Sequence, residues 1–427
     1  MNLAGFFGWP TRLNGSGPRH VSRAARKAIV LCRNLLSERG EVSGSLLAGE
    51  ALAAYQALDE TSRAGFFDLL AQEFSPDPEK VGQAGDAYRT HPSPENLIQL
   101  QAAVESPREE LFRRLNLAPS GTRILVELRG WLLRKLHQNL HWEVVVADLE
   151  RLLIAWFNRG FLELRRIDWR TSALVLEKLI RYEAVHEIQG WNDLRRRLEA
   201  DRRCYAFFHP ALPDEPIIFI EVALTRGMSA RVQPLVDPLS PISDPQTADC
   251  AMFYSITNCQ EGLRGISFGN LLIKQVAEDL KREFPNLRRF ATLSPIPGFR
   301  RWLDDFDVDP EKRQLLDRLK DPAWHLGDIP DALKALVLRL CAHYLLHAKQ
   351  GDEPLDPVAR FHLGNGASLD RVNWLADTSA HGMSRSAGLM VNYVYWLAEL
   401  EHNHEQYFKN HTIAASPGVE RLAREWR

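Results

Sequence analysis

Two short strings each place a side chain able to handle a proton beside residues that fix the backbone. Ala291-Thr292-Leu293-Ser294-Pro295-Ile296-Pro297-Gly298-Phe299 presents a serine ahead of a Pro-x-Pro turn. Phe361-His362-Leu363-Gly364-Asn365-Gly366-Ala367 presents a histidine ahead of a Gly-Asn-Gly loop. A hydroxyl and an imidazole brought together could hold a carboxylate, relay a proton or stabilise an oxyanion. Residue types alone favour a plainer account, with Ser294 ending a strand and capping the proline turn and His362 a satisfied turn histidine. A serine-hydrolase reading fails on local chemistry. No G-x-S-x-G elbow surrounds Ser294, and Pro295 has no N–H to offer an oxyanion hole.

Upstream lies a pattern suited to holding a phosphate. Residues 251–257 read as a strand, Gly262, Gly265 and Gly269 as a loop, residues 270–284 as a charged amphipathic helix, and residues 287–293 as the next strand. Glycines let the backbone approach a ligand closely, and the unpaired N–H groups at a helix start favour a pyrophosphate. Arg264 would add charge, and Lys274, Lys281, Arg282, Arg288 and Arg289 could meet further phosphates or simply face solvent. The spacing is not G-x-G-x-x-G and no Walker lysine follows, so a glycine-rich turn without a ligand is the alternative. A phosphate cradle feeding a serine and a histidine points to an enzyme acting on a phosphate-bearing substrate such as a CoA thioester.

The elements that must position these groups fall into two halves. Residues 24–39, 51–58, 63–74, 78–88, 94–104, 121–138 and 140–157 carry helical spacing, with Pro76-Asp77-Pro78-Glu79 and Pro92-Ser93-Pro94-Glu95 as helix starts. A run of helices without strands predicts an all-helical bundle over residues 1–157. From residue 158 the pattern turns mixed. Strands are expected at 160–169, 204–208 and 217–224, the last two as a hairpin across a proline-rich turn, and helices at 172–182, 191–199 and 321–347. Residues 366–374 and 390–397 are further elements, and the proline-rich, acidic stretch 234–249 reads as a surface loop. The predicted class is α+β, with a helical domain ahead of an α/β domain over residues 158–427.

Composition narrows the function. The chain has 427 residues, 45% of them hydrophobic and 25% charged, with a net charge of −2, as in ordinary globular proteins. That balance gives no global pull toward nucleic acid or anionic lipid. No apolar run is long enough to read as a membrane span. Five scattered cysteines without a C-x-x-C pair fit a reducing, cytoplasmic setting rather than a disulfide framework or a zinc site. Arg12, Arg19, Arg23 and Arg26 read as a loose basic arm rather than a transit peptide. The pairs His137/His141 and His343/His347 lack the glutamate of H-E-x-x-H, and His402-Asn403-His404 is only a string of letters.

The strings FYSITNCQEGLRGISFGNLLIKQV, EFPNLRRFATLSPIPGFRRWL, FHLGNGASLDRVNWLADTS and GLMVNYVYW resemble the malonyl-CoA decarboxylase family. The likeness spans about residues 150 to 415. It implies a helical domain serving self-association, with dimer and tetramer both open, and a catalytic domain like the GNAT acyltransferases. It also implies that malonyl-CoA becomes acetyl-CoA and CO₂ through a thioester enolate, without biotin, metal or nicotinamide. Carried over by position, the catalytic serine falls on Ser294 and the histidine on His362. A second serine falls on Ser255 and a tyrosine on Tyr395. The CoA-binding loop falls on Arg264, Gly265, Ile266, Ser267, Phe268, Gly269 and Asn270, with Asn365 as a further binding residue. Gly364 departs from animal relatives, which carry a larger residue there. The competing readings are a GNAT-type acyltransferase using an amine acceptor and a non-catalytic CoA-binding scaffold.

Overall fold

The computed structural model describes residues 21–38, 40–183, 185–266 and 272–425. It divides the chain into two compact units.

The first unit comprises Met1–Trp156 together with the short segment Glu261–Ile266. Its helices start where the chemistry of capping dictates. Asp77 accepts the backbone N–H of Glu79 at 3.0 Å, and Ser93 that of Asn96 at 3.2 Å, each ahead of a proline in the first turn. Ser106-Pro107 repeats this signal and starts the helix Pro107–Leu115, which the sequence reading passed over. The helix expected at 51–58 is the longer Glu41–Gln56. Gly44 and Gly49 weaken its first half as a sequence pattern. Phe67, Trp131 and Trp142 pack face to face or tilted at ring spacings of 5.3–5.7 Å and anchor the core. A buried ion pair, Arg108 to Asp148 at 2.7 Å, joins two helices, and Ser106 adds a hydroxyl to the same carboxylate.

The second unit comprises Phe157–Gln260 and Ser267–Arg427. Its strands are β1 (Glu163–Ile167), β2 (Arg202–Phe208), β3 (Ile218–Thr225), β4 (Cys250–Asn258), β5 (Arg289–Thr292), β6 (Ser294–Pro295), β7 (Lys349–Gln350), β8 (Glu353–Pro354), β9 (Ser368–Asn373) and β10 (Met390–Val394). The main sheet runs β1-β2-β3-β4-β5-β10-β6, with β9 also on β10, while β7 and β8 form a separate hairpin. All pairings are antiparallel except β4 with β5. The helix Leu272–Glu283 makes the crossover that parallel strands require. Strand, glycine loop, helix and parallel strand thus occur in the order a GNAT-like domain needs. The expected helix over 321–347 begins only at Asp331, because Gly327 and Pro330 interrupt it.

Two irregularities in this sheet matter for the site. A register shift between β3 and β4 leaves Tyr254 without an opposite residue, which is a β-bulge. The β4–β5 ladder stops at Phe253 opposite Thr292, closed by the Leu293 N–H to the Phe253 carbonyl at 2.9 Å. From Tyr254 to Asn258, β4 runs on without a β5 partner.

Candidate active site

Ser294 begins β6, immediately beyond the point where β4 and β5 part, and pairs with Val391 of β10. Pro295 and Pro297 leave the strand nowhere to continue, so the serine is held at a fixed turn. His362 lies in the last turn of the helix Pro357–Gly364, not in a free loop. Asp356 caps that helix by accepting from the Val358 and Ala359 N–H groups at 3.0 and 2.9 Å. Tyr395 follows β10, its N–H donating to the Phe290 carbonyl at 2.7 Å.

These three elements converge. His362 Nε2 is 2.9 Å from the Ser294 hydroxyl, and His362 Nδ1 is 2.7 Å from the Tyr395 hydroxyl. Ser294 donates to the Thr292 hydroxyl oxygen at 2.8 Å, and the same oxygen accepts the Tyr393 N–H at 3.2 Å. With the serine proton committed to Thr292, the consistent assignment is Nε2–H donating to Ser294 and Tyr395 O–H donating to Nδ1. All four side chains are buried, and the Tyr393 ring stacks on the imidazole at 4.6 Å. Burial alone lowers the His362 pKa from 6.5 to about 3, so the imidazole is neutral at pH 7. Burial likewise raises the Tyr395 phenol well above its ordinary value.

Ser255 stands in a different network. Its hydroxyl donates to the Glu183 carboxylate at 2.7 Å, where Thr257 also donates at 3.1 Å. The N–H groups of Val185 and His186 complete that carboxylate's shell. No hydrogen bond among the described residues joins Ser255 to Ser294 or His362. Asn365 caps its own helix, with Nδ2 on the Phe361 carbonyl at 2.7 Å, and so fixes the end of the turn that carries His362.

Of the expected CoA loop, Ser267, Phe268, Gly269 and Asn270 lie outside the described residues. Arg264, Gly265 and Ile266 belong to the segment grouped with the helical unit. Arg129, almost fully buried, donates to the Gly262 and Arg264 carbonyls at 2.7 and 2.9 Å. Gly265 adopts φ +83°, and a Cβ on Gly262 would overlap the Val126 carbonyl, so this turn requires glycine at both places. The Arg264 side chain is exposed and forms no hydrogen bond or ion pair among the described residues. The neighbouring cations are engaged instead: Lys274 with Glu401 at 2.7 Å, Lys281 with the carbonyls of Pro285 and Leu287, and Arg282 with Asp279. Cys259 is buried, which raises its thiol pKa and disfavours the thiolate.

Thr292 and Glu183 were missed from sequence. Thr292 had a signal, since residues two apart on a strand share a face and Thr-Leu-Ser places both hydroxyls together. Glu183 had none, because it reaches Ser255 from the end of a distant helix.

The fold is that of a two-unit α+β protein with a buried Tyr395–His362–Ser294–Thr292 hydrogen-bonded run at the parting of two parallel strands. Its residues 160–427 match the model of the malonyl-CoA decarboxylase C-terminal domain, and residues 74–157 that of the N-terminal domain. The chain belongs to the malonyl-CoA decarboxylase family. It is 35% identical to the mitochondrial malonyl-CoA decarboxylase of Rattus norvegicus, over 87% of this chain and 84% of that protein. A crystal structure of malonyl-CoA decarboxylase from Rhodopseudomonas palustris aligns with TM-score 0.90 and 50% identity, covering 93% of this chain and 99% of the other. One from Agrobacterium vitis aligns with TM-score 0.87 and 47% identity, with the same coverage.

Proposed function

We propose that this protein decarboxylates malonyl-CoA to acetyl-CoA and CO₂, with Ser294, His362 and Tyr395 as the reacting relay. The observation that carries the reading is the continuous hydrogen-bonded run Tyr395–His362–Ser294–Thr292 at the end of the parted strands.

The chemistry asks for little else. The bond between the α-carbon and the carboxylate breaks, its electron pair moves into the thioester as an enolate, and CO₂ leaves. The enolate carbon then takes a proton, and one proton from solvent balances the cycle. The barrier lies in the negative charge that develops on the thioester oxygen, and one donor aimed at such an oxygen is worth about 3 to 4 kcal/mol. Ser294 contacts the substrate and passes its proton to the enolate carbon, the Nε2–H of a His362 protonated from solvent replaces it, and the imidazole returns to the neutral tautomer that Tyr395 holds. A bound malonyl carboxylate brings negative charge beside a neutral buried imidazole, which favours its protonation when substrate arrives. Glu183 orients Ser255, and Ser255 orients the substrate from β4. Arg264 to Asn270 serve the CoA phosphates.

The same proposal includes a cytoplasmic setting, supported by five free, buried cysteines, and self-association through the helical unit, supported by the exposed Val42, Leu46 and Ile98. No helix among the described residues is long and apolar enough to cross a membrane. The test is direct. Purified protein given malonyl-CoA and no added cofactor should release CO₂ and acetyl-CoA in equal amounts, and His362→Asn should abolish both while CoA affinity persists. A folded, CoA-binding protein that releases no CO₂ would sink the reading.

A further inference from the structure

At the end of the sheet where β2 begins, β3 ends and β4 begins lies a cavity of about 620 Å³. That volume lies in the range of small-molecule sites. Its wall carries three arginines, Arg196, Arg202 and Arg226, against two carboxylates, Asp201 and Asp244. Arg196 and Arg202 are both buried and divide a single partner, Asp201, at 2.7 and 2.9 Å. The Nε–H of Arg202 has no acceptor among the described residues. Arg226 is exposed and forms no hydrogen bond or ion pair among the described residues. Asp244 is engaged in accepting the Gln246 N–H at 2.9 Å. The cavity therefore carries an excess of positive charge beside the hydroxyls of Ser240 and Ser243.

One wall of this cavity is wired to the catalytic relay. The Ser229 carbonyl accepts from Asn392 Nδ2 at 3.3 Å, and that same amide donates to the Thr292 carbonyl at 2.6 Å. Arg371 braces the wall by donating to the Met228 and Ser229 carbonyls and to Asn392 Oδ1. Asn392 and Thr292 are fully buried, and Thr292 is the acceptor for Ser294.

We propose that this cavity is an effector site for a small organic anion bearing a phosphate or carboxylate group. Such a ligand would pair with Arg226 and act on Ser294 through Ser229, Asn392 and Thr292. The effect on turnover rests on Ser294 being catalytic, whereas binding does not.

The experiment measures thermal melting of the full chain in inorganic phosphate and, separately, in citrate, with potassium chloride at matched ionic strength as the reference. Wild type should melt higher in a saturable way, by about 5 °C at roughly 100 times the dissociation constant, in at least one anion. Arg226→Ala should lose that rise while keeping its melting point in chloride. The arm that responds identifies the ligand group. Saturating anion should also change kcat by about fivefold in wild type and leave Arg226→Ala unaffected. No saturable rise, or an equal rise in the variant, overturns the site. Binding without a change in turnover overturns the coupling. A protein that binds but shows no decarboxylation at all contradicts the catalytic reading and leaves the site standing.

Discussion

The Ser294 hydroxyl donates to Thr292, two residues earlier on the same run of chain, at 2.8 Å. This local bond decides the polarity of a relay whose other members come from a helix and a distant strand. Valine in place of Thr292 keeps the volume but removes the acceptor. The serine proton then turns toward His362 Nε2, and the imidazole moves to the opposite tautomer. Thr292→Val should lower kcat by about 10- to 100-fold with KM little changed. A steady-state comparison at pH 7 checks it, and equal kcat values would remove Thr292 from the relay.

Tyr395 works from the other nitrogen. Its hydroxyl lies 2.7 Å from His362 Nδ1, and its high pKa keeps it a donor across the physiological range. Tyr395→Phe leaves the ring packed near Phe253 and strips only the donor. The expected result is a fall in kcat of about 100-fold with an unchanged melting temperature. A fall in stability without a fall in turnover would make Tyr395 a core residue only.

The neutral imidazole also sets a pH dependence of stability. His362 has a folded pKa of about 3 against an unfolded value of 6.5. Below pH 6.5 the unfolded chain takes up a proton that the native chain refuses, so stability is present above 6.5 and is lost as pH falls toward 3. The loss approaches about 1.4 kcal/mol per pH unit. His362→Gln removes this contribution. Urea unfolding at pH 7 and pH 5 should show wild type losing about 2 kcal/mol more than the variant between the two. Equal losses would mean that the imidazole is protonated in the native fold.

How much of this was legible depends on the range of each interaction. The Ser294 and His362 strings are local and distinctive, so both stand out in the sequence, while the helix that carries His362 through its last turn did not. The crossover from β4 to β5 followed from strand and helix periodicity with turn residues between them. Glu183 and the two-faced amide of Asn392 gain meaning only through partners 72 and 100 residues away, and no period or spacing records such contacts. The grouping of Glu261–Ile266 with the helical unit was hidden for the same reason, since it depends on Arg129 finding carbonyls more than 130 residues further along. Helix lengths went astray where glycine or proline blurred the pattern, as at Gly44, Gly49 and Pro330.

Two glycines in the histidine string make opposite predictions. Gly366 holds φ +80°, and a Cβ there would overlap the Leu400 carbonyl. Neither the dihedral nor the backbone oxygen can yield cheaply, so Gly366→Ala should cost about 2 kcal/mol or more and displace the turn behind His362. Gly364 is helical, and the atoms nearest its Cβ would be in the rings of Phe408 and Tyr407 at 3.7–3.9 Å, ordinary contact distances. Alanine there lowers the entropy of the unfolded chain and should stabilise by about 0.5 kcal/mol. Chemical unfolding of the two variants, with turnover measured alongside, checks the pair. A tolerated Gly366→Ala, or a Gly364→Ala that unfolds the protein, would show that the turn after His362 is held differently.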